Sequence, residues 1–198
     1  MTYTESLYNS TFIGIMLCWM VFAATFLIRK WPKSTDEKKR DNKAFRGVML
    51  EAAGYSIVWM FRRKEPLLIE QGGIVLGVII SVAAIILAML SVWMAVSAVK
   101  TLGKQWAVAA RVVEDHQLIT NGPYHIVRNP IYTGMFGMLI ATGLAVSQWW
   151  AVPLACVIFW YGTHIRVEVE EKLLRETFGS KFDEYANTVP PLIPKKIF

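Results

Sequence analysis

The stretch GIVLGVIISVAAIILAMLSVWMAVSAV, residues 73–99, contains no charged side chain. An α-helix of about 20 residues crosses the roughly 30 Å hydrocarbon core of a bilayer, so this stretch is long enough to span one. A helix also satisfies its own backbone hydrogen bonds in lipid, which an isolated strand cannot do. We therefore expect residues 73–99 to form a transmembrane helix and the chain to be an integral membrane protein.

Four other apolar segments extend this prediction to a helical bundle: residues 10–28, 47–61, 131–146 and 149–165. The segment 47–61 is the weakest because it is short and contains Glu51. The last two segments are separated only by Ser147 and Gln148, and so short a connection predicts an antiparallel helical hairpin. The expected fold is all-α, a single polytopic membrane domain over residues 1–198 with about five transmembrane helices.

The composition agrees with a membrane location and argues against other classes. Of the 198 residues, 55% are hydrophobic, which is more than one soluble core of this length would bury. The formal charge of +6 would suit nucleic acid, but the basic residues lie between apolar segments. Cys18 and Cys156 each lie inside an apolar segment, so we expect neither a disulfide nor a metal site. The first 28 residues contain no Lys or Arg, which predicts a retained span rather than a signal peptide.

The distribution of Lys and Arg predicts the orientation in the membrane. Eight lie in residues 29–46, three in 62–64, four in 100–128 and six from Arg166 onward. Five spans with the N-terminus outside would put 18 of these 21 residues on the cytoplasmic side, as the positive-inside rule favours. The cluster 62–64 is the exception. It leaves open an alternative in which the segment 47–61 is only interfacial or re-entrant and residues 100–128 face away from the cytoplasm.

Polar residues concentrate in two places, residues 116–132 and residues 164–171. The predicted hairpin starts just after the first and ends at the second, so we expect them to meet at one membrane face. In the second place, Arg166 and Glu170 are spaced i and i+4 on one helical face. They can belong to a solvent-exposed helix end that carries ion pairs at helical spacing, such as Glu171 with Arg175, each contributing about 0.3–0.5 kcal/mol to stability. Spacing alone favours that interpretation, but the pair can also be a guanidinium that binds an anion beside a carboxylate that favours a cation.

The first polar stretch contains His116, then Asn121-Gly122-Pro123-Tyr124, then Arg128-Asn129-Pro130-Ile131-Tyr132. Asn-Gly-Pro and Asn-Pro are ordinary turn sequences, a proline at a helix start loses no hydrogen bond, and tyrosines are common at membrane interfaces. That structural interpretation does not explain why turn, tyrosine, arginine and helix start are concentrated beside an Arg-Glu helix end. No Gly-x-Gly-x-x-Gly follows a predicted strand, so a Rossmann domain is not expected.

The second half of the chain, about residues 102–194, resembles the integral membrane methyltransferases that include isoprenylcysteine carboxyl methyltransferase and, more distantly, the phospholipid N-methyltransferases. The resemblance depends on the order and spacing of several short motifs rather than on any single one. These are Leu102-Gly103 with Trp106, His116-x-Leu118, Gly122 with Tyr124, Arg128-x-Pro130-x-Tyr132, Arg166 with Glu170-Glu171, Phe178-Gly179, Tyr185, and the closing Val189-Pro190 to Pro194. Residues 1–99, three membrane segments, match that family only in hydropathy.

The resemblance implies that S-adenosylmethionine is the cofactor and that residues 100–198 form a cofactor-binding and catalytic half. Carried over position by position, the cofactor-binding residues are His116, Gln117, Leu118, Ile119, Tyr124, Asn129, Pro130, Ile131, Tyr132 and Glu170. Arg166 corresponds to the arginine on the substrate side, and Arg166 and Glu170 are the expected catalytic residues. The chain departs from the family where Asn129 replaces the usual histidine, because an amide has neither the imidazole ring nor its titration.

The chemistry of methyl transfer bears on the acceptor. In-line displacement from a sulfonium chiefly needs an acceptor held close and away from water. A carboxylate acceptor is already ionised, and Arg166 would orient it; an amine must first lose a proton, which a glutamate would have to assist. We expect a lipid-like or prenylated acceptor. The favoured reaction is carboxyl O-methylation, and the alternative is N-methylation of a phospholipid or other small amphiphile. Membrane lipid is the other expected partner, and we expect neither a metal nor nucleic acid to bind. A non-enzymatic membrane scaffold and a membrane reductase are the remaining alternatives.

Overall fold

The computed structural model describes residues 3–27, 42–63, 69–103 and 117–194, and the regular secondary structure within these ranges is helical. The helices are α1 (Tyr3–Leu27), α2 (Asn42–Met60), α3 (Ile69–Leu102), α4 (Pro130–Val146), α5 (Ala151–Phe178) and α6 (Ser180–Thr188), with a 3-10 turn at Gly122–His125. The described ranges contain no β-strand, only an isolated bridge between Arg62 and Ser147. The all-α prediction is therefore confirmed for the described part of the chain.

Two of these helices are long and apolar enough to cross a membrane, Glu5–Leu27 in α1 and Gly73–Leu102 in α3. They overlap the predicted segments 10–28 and 73–99, with α1 beginning earlier and α3 ending later than predicted. α3 is kinked at Gly73, where φ is 73°, a left-handed value that glycine adopts without steric cost. The apolar helix α4, Pro130–Val146, is shorter.

α2 packs closely against α5 because glycines line their contact. A Cβ atom added to Gly47 would lie 2.7 Å from the carbonyl oxygen of Gly162. One added to Gly54 would lie 2.9 Å from Cβ of Phe159. Small residues of this kind let two helix backbones approach closely in membrane proteins. As a result, the side chains on this face of α2 reach the polar end of α5.

α4 contacts four other helices, α1, α2, α3 and α5. Toward α3, a Cβ added to Gly134 would lie 2.8 Å from the carbonyl oxygen of Ser91. Toward α1, the indole N–H of Trp19 donates to Oγ1 of the fully buried Thr142 at 3.0 Å. Toward α5, the ring of Phe136 stacks on that of Phe159, with centroids 5.8 Å apart. These contacts hold α4 in a fixed position within the bundle.

At the opposite end of the bundle, the residues after α2 bind the connection between α4 and α5. The backbone N–H of Arg63 donates to the carbonyl of Val146 at 3.0 Å. The guanidinium of Arg63 donates to the carbonyls of Leu144 at 2.5 Å and Ala145 at 3.1 Å, and also to the carbonyl of Ser147. The last carbonyls of a helix lack partners within it, and a cation there is favourable. Arg63 belongs to the basic cluster 62–64, which did not fit the predicted charge distribution, and it caps the C-terminal end of α4. Lys64 of the same cluster lies outside the described residues.

Candidate active site

The start of α4 is held by the C-terminal segment 189–194. The backbone N–H groups of Arg128 and Asn129 donate to the carbonyls of Pro190 and Pro191 at 2.9 and 3.0 Å. One turn into α4, Oγ1 of Thr133 donates to the carbonyl of Leu192 at 2.7 Å. The closing proline-rich segment and the Arg128-x-Pro130-x-Tyr132 motif, which are far apart in sequence, therefore form one substructure.

Arg128 and Glu171 form a part-buried ion pair that ties this substructure to α5. Nε and Nη2 of Arg128 donate to Oε1 and Oε2 of Glu171, both at 2.9 Å, and the two side chains are 11% and 14% exposed. Such a bidentate pair is geometrically specific and stronger than a single neutral hydrogen bond. The pair of Glu171 with Arg175 that helical spacing suggested is therefore wrong, because Arg175 instead donates to Asp183 of α6 at 2.7 Å.

Asn129, the position where the family has histidine, joins the same ion pair. Its side-chain nitrogen donates to Oε1 of Glu171 at 3.1 Å and to the carbonyl of Pro191 at 3.2 Å, and the residue is 8% exposed. Both of these contacts are to protein groups. They hold the start of α4 in place and require only the two donors of an amide, not an imidazole ring.

Arg166, Glu170 and Tyr132 meet where α4 begins and the polar part of α5 follows its apolar part. The hydroxyl of Tyr132 donates to Oε1 of Glu170. Cζ of Arg166 lies 4.7 Å from the centroid of the Tyr132 ring, a cation–π distance, and Nη2 of Arg166 is 3.9 Å from Oε1 of Glu170. The predicted proximity of the two polar stretches thus holds for these three residues.

Glu51 of α2 completes this group. Nη1 of Arg166 donates to Oε2 of Glu51 at 2.7 Å, and Oγ1 of Thr163 donates to Oε1 of Glu51 at 2.9 Å. Glu51 is only 2% exposed. We call these five residues the Arg166 cluster: Glu51, Tyr132, Thr163, Arg166 and Glu170. In the sequence, Glu51 weakens the prediction of its segment as a membrane span, although a charged residue inside an apolar segment is itself a signal of function.

The electrostatics of the polar end of α5 are dominated by burial. Burial raises the pKa of Glu170, while the charge of Arg166 and the hydrogen bond from Tyr132 act in the opposite direction. In the neighbouring 3-10 turn, burial raises the pKa of Tyr124, and the negative charge of Glu170 raises it further. Tyr124 therefore keeps its phenolic proton at physiological pH.

A cavity of about 240 Å³ lies between α3, α4 and α5 and extends to the Arg166 cluster. Leu87, Leu90 and Met94 of α3 line one side, and Phe136 and Trp160 line the other. Tyr132 and Thr163 of the Arg166 cluster also line it, whereas Leu90 is 57% exposed on the outer surface of the bundle. The cavity therefore provides an apolar space that adjoins both the surface of α3 and a charged cluster.

The remaining predicted cofactor residues fall into three groups. His116 lies outside the described residues. Gln117, Leu118 and Ile119 form an irregular segment just before the 3-10 turn, the first exposed and the other two half-buried. Tyr124 and Pro130 are buried and Ile131 is half-buried, close in sequence to Tyr132. Their binding of a cofactor stays a prediction.

Comparison with known proteins now identifies the family. The profile described as phospholipid methyltransferase matches residues 79–181, slightly more than half of the chain. The chain belongs to the phospholipid methyltransferase family. This confirms the resemblance inferred from the motifs. The match begins within α3 and ends within α6, so α1 and α2 lie outside it.

Curated relatives of this phospholipid methyltransferase family member are named protein-S-isoprenylcysteine O-methyltransferase. The Schizosaccharomyces pombe protein is 33% identical over 90 residues, 44% of this chain and 38% of that protein. The Arabidopsis thaliana protein B is 30% identical over 100 residues, 50% of this chain and 51% of that protein. The Saccharomyces cerevisiae protein is 37% identical over 91 residues, 44% of this chain and 36% of that protein. The matched part of the chain thus spans about a third to a half of the length of these relatives.

Proposed function

We propose that this protein transfers a methyl group from S-adenosylmethionine to an amphiphilic acceptor within the membrane. The observation that carries the proposal is the apolar cavity lined at the same time by Tyr132 and Thr163 of the Arg166 cluster. An acceptor with a hydrocarbon chain and a polar reactive end matches that combination. Family membership and the names of the relatives support methyl transfer as the reaction.

The charge of the Arg166 cluster fits a cationic cofactor. Two carboxylates, Glu51 and Glu170, accompany one guanidinium, so the cluster with both acids ionised carries one net negative charge. S-adenosylmethionine supplies a methyl group activated by a positively charged sulfonium. The residues that would hold it are those implied by the resemblance, from His116 through Tyr132, together with Glu170. Glu170 would favour its positive charge, and the apolar surroundings would exclude water.

We propose a carboxylate as the first acceptor class. A carboxylate is ionised at neutral pH and needs no base, and the Arg166 guanidinium would orient it through charge-assisted hydrogen bonds. The relatives named isoprenylcysteine O-methyltransferases support this choice. The second class is an amine of a phospholipid or similar amphiphile, which the excess of carboxylates over guanidinium in the Arg166 cluster favours. Glu170 would then accept the proton that the amine loses.

We further propose that the chain is a single multi-pass membrane domain of five spans, with α4 and α5 as a helical hairpin and the Arg166 cluster near the cytoplasmic face. The 19 residues of α2 extend about 28 Å, close to the thickness of the hydrocarbon core. α2 contacts Gly162 of α5 near one end and the connection between α4 and α5 at the other. A crossing α2 makes both contacts, whereas a re-entrant segment would return to the face at which it entered.

Two measurements on purified, detergent-solubilised protein test the function. Calorimetry with S-adenosylhomocysteine should show saturable binding with one site per chain. Radiolabelled S-adenosylmethionine should then transfer its label to N-acetyl-S-farnesylcysteine faster than to phosphatidylethanolamine. The reverse order of rates would assign the amine class instead. Absence of S-adenosylhomocysteine binding by folded protein would contradict the enzymatic proposal and favour the scaffold.

A further inference from the structure

Glu51 belongs to the part of the chain outside the family match, yet it contacts the residues expected to do the chemistry. The match begins at residue 79, whereas Glu51 lies in α2 within an apolar segment. A carboxylate that is 2% exposed is strongly disfavoured unless it is paired and hydrogen-bonded. Glu51 meets that condition through two residues of α5, Thr163 and Arg166.

The position of Glu51 is fixed from both sides. Its two carboxylate oxygens accept from different donors, Thr163 at 2.9 Å and Arg166 at 2.7 Å. The backbone beneath it is fixed by the glycine contact, since a Cβ on Gly162 would lie 3.1 Å from the backbone nitrogen of Glu51 and 2.7 Å from the carbonyl oxygen of Gly47. The carboxylate therefore has little freedom to move away from α5.

This arrangement determines the orientation of the Arg166 guanidinium. Nη1 is held by Glu51, one face stacks on the ring of Tyr132, and Nη2 points toward Glu170 at 3.9 Å. Without the charge of Glu51, Glu170 would be the nearest carboxylate to the guanidinium, and a modest rotation would bring them into direct contact. Arg166 would then hydrogen-bond directly to the carboxylate that the proposed function assigns to the cofactor, and would offset more of its charge.

We infer that Glu51 is a positioning residue that holds the Arg166 guanidinium near the cavity and outside hydrogen-bond distance of Glu170, so that it can orient the acceptor. The inference rests on the proposed function and adds to it a residue from the N-terminal half of the chain. Thr163 supports it independently, because this residue both lines the cavity and donates to Glu51. If the hydrogen bonds to Glu51 served only to join α2 to α5, their donors would not need to line the cavity.

The experiment compares Glu51→Gln with wild type, using N-acetyl-S-farnesylcysteine in mixed micelles as the acceptor. Glutamine keeps the size of the side chain and can still accept from Thr163, but it removes the charge that holds Arg166. We expect the acceptor KM to rise at least fivefold and kcat, counted per S-adenosylhomocysteine-binding site, to fall at least tenfold. The affinity for S-adenosylhomocysteine, which lacks the sulfonium charge, should stay within about threefold.

Tyr55→Phe is the matched control. It removes another hydrogen bond between α2 and the bundle, from the Tyr55 hydroxyl to the carbonyl of Met135 at 2.7 Å, and leaves the charge of Glu51 in place. Its acceptor KM and its kcat per site should equal those of wild type. A role of Glu51 that was merely structural would lower the number of S-adenosylhomocysteine-binding sites and leave the acceptor KM unchanged, and that result would overturn the inference.

Glu51→Asp keeps the experiment decisive if Glu51→Gln does not fold. Aspartate retains the charge but is shorter by one methylene, and the glycine contact prevents α2 from moving closer. We expect an acceptor KM between those of wild type and the value predicted for glutamine. A wild-type acceptor KM in Glu51→Asp at full binding stoichiometry would overturn the positioning role alone. If wild type itself transferred no methyl group to either acceptor class, the proposed function would fail and this inference with it.

Discussion

Replacing Gly162 with alanine should separate α2 from α5 and weaken the Arg166 cluster. The added Cβ would lie 2.7 Å from the carbonyl oxygen of Gly47 and 2.8 Å from Cβ of Leu50, where ordinary contact begins at 3.4 Å. Neither neighbour is the end of a flexible side chain. The two helices must therefore move apart by about 0.7 Å, the difference between 3.4 and 2.7 Å.

This displacement also acts on the ion pair one turn further along α5. If the side chains do not readjust, the distance from Nη1 of Arg166 to Oε2 of Glu51 grows from 2.7 Å to about 3.4 Å, beyond the usual hydrogen-bond range. Overpacking of this kind destabilises proteins by about 1–3 kcal/mol. We expect a loss of unfolding free energy of that size for Gly162→Ala, together with at least a tenfold slower methyl transfer.

The assay is an unfolding titration in detergent combined with methyl transfer counted per binding site. Gly14→Ala is the matched control, because a Cβ there would lie 3.3 Å from Cδ1 of Ile85, the mobile end of a long side chain. Its free energy of unfolding should stay within about 0.5 kcal/mol of wild type. If Gly162→Ala were as stable and as active as wild type, the close approach of α2 and α5 would be refuted, and with it the basis for the role of Glu51.

Four further predictions concern the proposed chemistry and topology. Arg166→Ala should slow methyl transfer about a hundredfold or more, close to 2.7 kcal/mol of transition-state stabilisation, while the affinity for S-adenosylhomocysteine stays within a few-fold. Arg166→Lys should restore little activity, because lysine lacks the planar guanidinium that can bind a carboxylate through two parallel hydrogen bonds. Near-normal rates in Arg166→Ala would remove Arg166 from the mechanism. Tyr132→Phe loses the hydrogen bond to Glu170 and should weaken cofactor binding by about 1 kcal/mol in calorimetry; an unchanged affinity would show that this bond does not support the pocket. Because burial raises the pKa of Glu170, the affinity for S-adenosylmethionine relative to S-adenosylhomocysteine should fall as the pH decreases through that raised value, and Glu170→Gln should abolish this dependence. Reporter fusions after residues 104 and 195 should both report a cytoplasmic location, and a signal from the opposite side at either position would contradict the five-span arrangement.

The two strongest helices and the Arg166–Glu170 pair could be predicted because their causes are local. Residues 73–99 are apolar over a length that few structures other than a membrane helix require. Arg166 and Glu170 share a helical face through their spacing alone, and the structure has them 3.9 Å apart. The family motifs likewise lie in short segments whose order is visible in the sequence.

Ion-pair partners were harder to predict because several carboxylates compete for each cation. Helical spacing favoured Glu171 with Arg175, but the fold brings Arg128 to Glu171 from 43 positions away and Asp183 to Arg175 from α6. A bidentate contact between part-buried groups outweighs an exposed i, i+4 pair, which contributes only about 0.3–0.5 kcal/mol. Arg63 shows the same limit, since its role as a cap of α4 depends on where α4 ends relative to α2.

The sequence by itself determined the helical character of the described chain, its two longest apolar helices and its membership of the methyltransferase family, because hydropathy and motif order are properties of the linear chain. The tertiary structure alone decided that Glu51 contacts Arg166 across 115 positions and that an apolar cavity adjoins the same cluster. Both depend on how closely helices approach. Glycines at positions 47 and 162 permit that approach, but their effect becomes visible only when the two helix faces are placed against each other.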